Sequence, residues 1–348
     1  MLLTVAAVVA ACGGGAASQA SKGSSVEQLA MYQGADRQSL LEEGAKKEGK
    51  VSLYTITVED IGKPMVDAFK AKYPFLDVES YRGGSADVTT RAVEEYSANR
   101  HDVDVLEANT FVGPLKDKGI VRKYISSESA NYPDKAKDPD GTSVSVRESP
   151  RGFGFNTKVI SREQAPKTWQ DLLDPKWKGK IAIGGDDTLT RYVGFWMETQ
   201  GEDYVQKLAA QNPTILHVSI RAIADMVASG EQPLSATINE AHVQAIRAKG
   251  GTIDWIPPDP VDSIVTQIGL ASQAPHPNAA LLFIDFVLSQ QGQQIYMKGG
   301  YDSSRTGLAP TGDKAFNPFY VDSVPNLAEK SKQWEQLADK YFNNASKV

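Results

Sequence analysis

Three short segments combine glycine, hydroxyl and guanidinium groups at spacings suited to holding an anion. Arg82-Gly-Gly-Ser85 reads as a turn leading into a helix. Glycine here, Gly84 above all, lets the backbone approach a ligand closely. The amides of residues 85–87 would open the helix, where geometry and dipole both favour negative charge. Ser85 can N-cap that helix and add a hydroxyl, and Arg82 would supply a bidentate fork. An ordinary capped turn with a solvated arginine is the alternative. Thr188-Leu-Thr-Arg191 and Ser219-Ile-Arg221 repeat the theme. Cations near a helix start oppose its dipole, so Arg191 and Arg221 either meet an anion or lie solvated at the surface.

Other chemistry finds little support. There is no Gly-x-Ser-x-Gly elbow, no His-Glu-x-x-His and no Walker A sequence. Gly152-Phe-Gly154 lacks the third glycine of a dinucleotide fingerprint. Aspartate and glutamate are scattered, with no identifiable acid–base pair, so catalysis is not expected. His101, His217, His242 and His276 show no metal spacing, and neither a metal nor a cofactor is expected.

Cys12 is the only cysteine in 348 residues. It follows an apolar run and the small residues Val9-Ala10-Ala11, as a bacterial lipoprotein acceptor cysteine would. Residues 1–12 then read as a removable signal segment and 13–38 as a flexible tether, rich in Gly, Ala and Ser at its start. A lipidated Cys12 would hold the protein at a membrane surface, facing the periplasm or the exterior. A net charge of -6 argues against nucleic-acid binding, and no disulfide can form within one chain. No second apolar run approaches the ~18 residues of a spanning helix.

The elements that must position these residues alternate. A helix is expected over residues 39–48, stopped at Gly49, then a buried strand over 51–55. Thr57-Val-Glu-Asp60 has the form of a capping box, followed by an apolar stripe of Ile61, Met65 and Phe69. Strands over 77–81 and 102–106 flank a helix carrying Val88, Ala92 and Tyr96. A polar stretch, 126–149, precedes a second unit with strands near 153–156, 180–183, 215–218 and 234–238. Helices follow at about 189–199, 220–229, 240–249 and 278–298. Such alternation predicts parallel pairing in an α/β sheet.

Several pieces in this order resemble extracellular solute-binding proteins of bacterial ABC importers, within the ferric-iron-type branch. They include Glu48-Gly-Lys-Val-Ser-Leu-Tyr54, Phe69-Lys-Ala-Lys-Tyr-Pro74, Asp104-Val-Leu106 and Phe155-Asn-Thr-Lys158. Residues 166–181, beginning Pro-Lys-Thr-Trp, Val227-Ala-Ser-Gly-Glu231 and Pro275-His-Pro-Asn-Ala279 complete the set. The resemblance implies a two-lobed type II periplasmic-binding-protein fold, closing on a ligand in the cleft and delivering it to a permease with its ATPase. Lobe I is expected over 39–150 plus 263–348 and lobe II over 151–262, with crossings near 150–156 and 257–263. A monomer is expected.

Ligands of open α/β sheets sit beyond the carboxyl ends of the strands. Those ends are Tyr54–Thr57, Arg82–Ser85, Glu107–Thr110, Gly184–Arg191, Ser219–Arg221 and Asn239–His242. Tyr54, Thr110, Thr188, Ser219, Asn239 and His242 thereby join the arginines as candidate contacts. Ferric-binding relatives carry two adjacent tyrosines where this chain has Ala241 and His242, and Tyr54 remains alone. Alanine cannot ligate, and imidazole is a softer donor than phenolate. A small organic anion, phosphorylated or carboxylated, is therefore expected ahead of ferric iron. A binding protein of this fold serving a sensor or an adhesin is the further alternative.

Overall fold

The computed structural model describes residues 25–109, 114–308 and 317–343. The strands are β1 (Lys50–Thr55), β2 (Asp77–Arg82), β3 (Val105–Ala108), β4 (Val121–Arg122), β5 (Val144–Asn156) and β6 (Ile181–Gly184). They continue as β7 (Thr214–Leu216), β8 (Leu234–Asn239), β9 (Ile253–Ile256), β10 (Val261–Ala271), β11 (Asp302–Ser303) and β12 (Pro318–Phe319). The helices are α1 (Val26–Met31), α2 (Arg37–Glu48), α3 (Glu59–Lys72), α4 (Ser85–Ser97), α5 (Pro114–Asp117) and α6 (Asp186–Thr199). After them come α7 (Glu202–Ala210), α8 (Ile220–Ser229), α9 (Glu240–Arg247), α10 (Pro277–Leu288), α11 (Gln290–Lys298) and α12 (Leu327–Ala338). None of the described helices is long and apolar enough to cross a membrane.

Local rules account for most boundaries. Gly49 closes α2 in the left-handed region at φ 72°, where only glycine is unstrained. The stripe of Ile61, Met65 and Phe69 is buried on α3 as its spacing predicts. Two expected caps differ. Val58 caps α3 without a side-chain bond, and the Thr57 hydroxyl donates instead to Glu107 Oε1 at 2.6 Å. Gly84 rather than Ser85 caps α4, and Ser85 Oγ accepts the Asn109 amide at 3.2 Å. In both cases a partner distant in sequence, buried Glu107 or half-buried Asn109, outcompetes the local one.

The main path of the sheet runs β2-β1-β3-β10-β5-β8-β6-β7. Its flanks are parallel as expected: β1 with β2 and β3, and β6 with β7 and β8. The centre is antiparallel. Strands β5 and β10 pair from Val144 opposite Ile268 to Arg151 opposite Asp262, with an irregularity at Thr266/Gln267. Part of the stretch read as polar connection, from residue 144 onward, is thus one of the two longest strands.

Two large apolar cores lie along this central pair. The first gathers residues between Leu29 and Val146 and between Ile268 and Tyr301, with Ala241. The second gathers residues between Phe153 and Ala236, then Ile256 and residues of the tail from Val321 to Phe342. A smaller third cluster holds Ile223, Ala224 and Val227 of α8 with Val243 and Ile246 of α9. The tail therefore departs from expectation. Residues 263–348 were expected in one lobe, yet the described segment 317–343 packs with the second core. Trp334 is 3% exposed and leaves no room for a Cβ at Gly194 of α6. The reason is volume: a glycine opposite an indole lets α12 and α6 approach closely. Between Tyr301 and Val321 the chain passes from the first core to the second.

Trp334→Ala is expected to destabilise the protein by about 3–5 kcal/mol, the usual cost of emptying a buried indole site. Urea unfolding should show a lower midpoint with an unchanged slope. An unchanged midpoint would refute this packing of the tail.

Candidate ligand-binding cleft

A cavity of about 1220 Å³ opens between elements of the first core and helices α8 and α9, which pack in a smaller third cluster. The start of α3 supplies Val58, Asp60 and Ile61 from one side. Arg221 and Asp225 of α8, and His242 and Gln244 of α9, face it from the other, with Lys249 beyond. Lys298 at the end of α11 and Tyr301 just beyond it join the lining. Three cationic side chains and two carboxylates thus line the walls.

The ends of β8 and α9 govern the chemistry here. Asn239 ends β8 and caps α9, but its side chain makes no capping bond. Its Oδ1 accepts from Arg151 Nε at 2.9 Å instead. His242 follows in the first turn, with Nδ1 buried and without a hydrogen-bond partner among the described residues. Burial holds its basicity far down, to a pKa of about 4, and the nearby charges of Arg221 and Arg151 push the same way while Asp225 opposes them. The ring is neutral near pH 7.

Arg147 and Arg151 were not singled out from the sequence, and both are buried on β5 at 5% and 9% exposure. Arg151 Nη1 lies 3.9 Å from Asp262 Oδ2. Arg147 lies 4.2 Å from the centre of the Tyr301 ring, and its Nε is 3.8 Å from Glu107 Oε1. Their sequence signal is the alternation of Arg147, Ser149 and Arg151 with Glu148 and Pro150, one polar face of a strand.

Other candidate residues are placed differently. Arg191 donates to Asp262 at 3.0 and 3.3 Å and to Asp322 at 2.8 Å, so it is a structural pin and not a free cation. Tyr54 is buried in the first core, its hydroxyl donating to Glu95 at 2.7 Å. Desolvation and that carboxylate raise its hydroxyl pKa, against phenolate ligation. Arg82 borders a separate cavity of about 360 Å³ beneath α3, with Thr55, Glu107 and Tyr296. The amide of Gly84 donates to Asp87 Oδ2 at 2.9 Å, so a carboxylate of this chain already occupies the start of α4. Ser219 caps α8 by accepting the Ala222 amide at 3.2 Å. Thr188 sits in the first turn of α6, its Cγ2 close to Gly184. Arg221 and His242 are therefore brought together on one cavity, with Asn239 beside them, while Arg82, Tyr54 and Arg191 are not. Thr110 and Cys12 lie outside the described residues.

Two outcomes follow from this geometry. Arg191→Ala leaves Asp262, 0% exposed, without its main partner, and should cost about 3–5 kcal/mol of stability. An unfolding midpoint equal to the parent's would contradict the pin. The folded pKa of His242 lies below its ordinary 6.5, so the unfolded chain takes up a proton first as pH falls. Stability contributed by the neutral ring is lost between about pH 6.5 and 4, by up to about 3 kcal/mol. Urea unfolding of parent and His242→Gln across that window should show the smaller slope for the variant. Equal slopes would place the ring in water.

Known proteins can now be set beside this arrangement. The family described as bacterial extracellular solute-binding protein matches residues 101–321. A Salmonella typhimurium protein named "Putative 2-aminoethylphosphonate-binding periplasmic protein" is 25% identical over 304 residues, 78% of this chain and 86% of that one. Iron-bound HitA from Pseudomonas aeruginosa superposes with a TM-score of 0.70 at 19% identity, covering 84% of this chain and 99% of that one. AfuA from Actinobacillus pleuropneumoniae, with fructose-6-phosphate bound, gives 0.64 at 20% identity, covering 86% and 100%. These structural likenesses establish the fold, that of the type II periplasmic binding proteins. By its sequence match and its architecture, this chain belongs to the bacterial extracellular solute-binding proteins.

Proposed function

We propose that this chain is the solute-binding component of an ABC importer and that its solute is a small organic anion. The two cores act as lobes that rotate about β5 and β10, closing on the ligand before it passes to a permease. Lipidation of Cys12 would keep the protein at the membrane surface. One observation carries the anion reading: Arg221, Lys249 and Lys298 outnumber Asp60 and Asp225 on one cavity, Arg221 being half-neutralised by Asp225 at 3.2 Å, and a neutral His242 stands there with Nδ1 unpartnered among the described residues. One relative is named for a phosphonate, and a solved structure of similar fold holds fructose-6-phosphate, which fits. The HitA structure is iron-bound, but the family resemblance sets Ala241 and His242 of this chain where a ferric tyrosine pair would stand, a poor donor set for a hard ion.

A thermal-shift screen tests the reading. It should include phosphonates, sugar phosphates, dicarboxylates, polyamines, thiamine and ferric citrate. Ligand at 100-fold its dissociation constant adds about 2.7 kcal/mol of stability, a visible shift. The expected hits are anions, accompanied by a smaller radius of gyration in X-ray scattering. Arg221→Ala should then weaken the hit about tenfold to a hundredfold in calorimetry, since a charge-assisted bond contributes ~1.5–3 kcal/mol. Hits confined to polyamines or ferric citrate would overturn the anion reading.

A further inference from the structure

The cavity walls explain attraction of an anion but not which anion. The hinge strand bears on that question. Arg151 is 9% exposed, and its Nη1 has no hydrogen-bond partner among the described residues. The nearest carboxylate, Asp262, is 3.9 Å away and is already taken by Arg191 through both oxygens. Guanidinium carries five N–H donors and keeps its charge at any ordinary pH. An unbonded donor at this depth is costly, so a ligand oxygen is the partner it lacks.

Two further donors are open in the same place. Arg151 draws the side chain of Asn239 away from capping, so the Asn239 side chain makes no bond to the amides of α9, whose first turn also carries the buried Glu240. His242 Nδ1, in the first turn of that helix, is buried without a partner. Arg151 Nε reaches the Asn239 side chain at 2.9 Å, which puts the guanidinium at the helix start that carries His242. Arg147, on the same face of β5, adds a second buried guanidinium whose Nε is unbonded.

We infer that Arg151, on the hinge strand and not on either cavity wall, is a specificity-determining contact for a doubly charged tetrahedral oxyanion, a phosphoryl or phosphonyl headgroup. The inference rests on the anion reading above. Its argument is directional. A planar carboxylate is satisfied by one guanidinium fork. Here the donors arrive separately from β5, from the α9 terminus and from an imidazole. Three oxygens in a tetrahedral array suit that arrangement better than two in a plane.

Calorimetry with methylphosphonate, inorganic phosphate and acetate on the parent, Arg151→Gln and Arg151→Lys is the test. The parent should prefer both tetrahedral anions to acetate. Each variant should lose about tenfold or more for methylphosphonate while acetate changes little, which narrows the preference. Lysine keeps the charge and loses the fork, so it serves if the glutamine variant fails to fold. A role confined to holding Asn239 would weaken all three probes alike and would overturn the inference. Variants that bind methylphosphonate like the parent would overturn it too and leave the anion reading standing. A parent that binds ferric citrate or polyamines and none of the three anions would bring down both.

Discussion

A fully buried carboxylate, Asp262, sets the terms for much of the structure. It is 0% exposed, and an unpaired charge at that depth is not tolerated. Arg191 answers it with two hydrogen bonds, which ties α6 to strand β10. The other end of the same guanidinium reaches Asp322, which ties the tail to both. Strand β12 pairs with β10 at Val261 and Asp262, so the tail joins the sheet where the carboxylate is buried. One desolvated charge thus fixes a helix, a hinge strand and the returning chain against each other. Arg191 engages both oxygens of Asp262, and Arg151 makes only a 3.9 Å contact to one of them.

The cavity depends on the same centre. Strand β5 carries the first core at one end, through Val144 and Val146, and the second at the other, through Phe153 and Phe155, while β10 pairs along it. Side chains on β5 therefore stand where the two cores meet. A guanidinium there can answer a ligand held by either side, whereas Arg221 or Lys298 belongs to one wall. Long backbone ladders also suit a hinge. Twist spread over many residues lets two rigid bodies reorient without breaking hydrogen bonds.

Groups suited to binding an anion are also groups suited to binding the protein itself. The α4 terminus would attract a negative ligand, yet Asp87 fills it from three residues away. Tyr54 has the hard donor that iron prefers, yet Glu95 holds its proton in the first core. Arg82, spared such a partner among the ion pairs of the described residues, borders a different cavity. Which of several equivalent groups stays free is decided by what else is buried within reach.

Much of the architecture was legible because it depends on short-range rules. Period and punctuation located α2, α3 and the parallel flanks: Gly49 at a left-handed stop, and Ile61, Met65 and Phe69 on one face. The absence of enzyme motifs and the run of family-like pieces pointed to a binding protein. Contacts across long separations were not legible. Arg191 to Asp262 spans 71 residues and Arg151 to Asn239 spans 88, and no local pattern encodes either. Strand β5 was obscured because its polar face, Arg147-x-Ser149-x-Arg151, looks like solvated connection until β10 pairs along it. The tail was misplaced because Trp334 acquires its meaning only opposite Gly194, a match of volume between distant parts of the chain. Sequence by itself determined which elements form and what chemistry they carry. Tertiary structure decided which charges are consumed in burial and which remain to meet a ligand, because desolvation is a property of the packed whole.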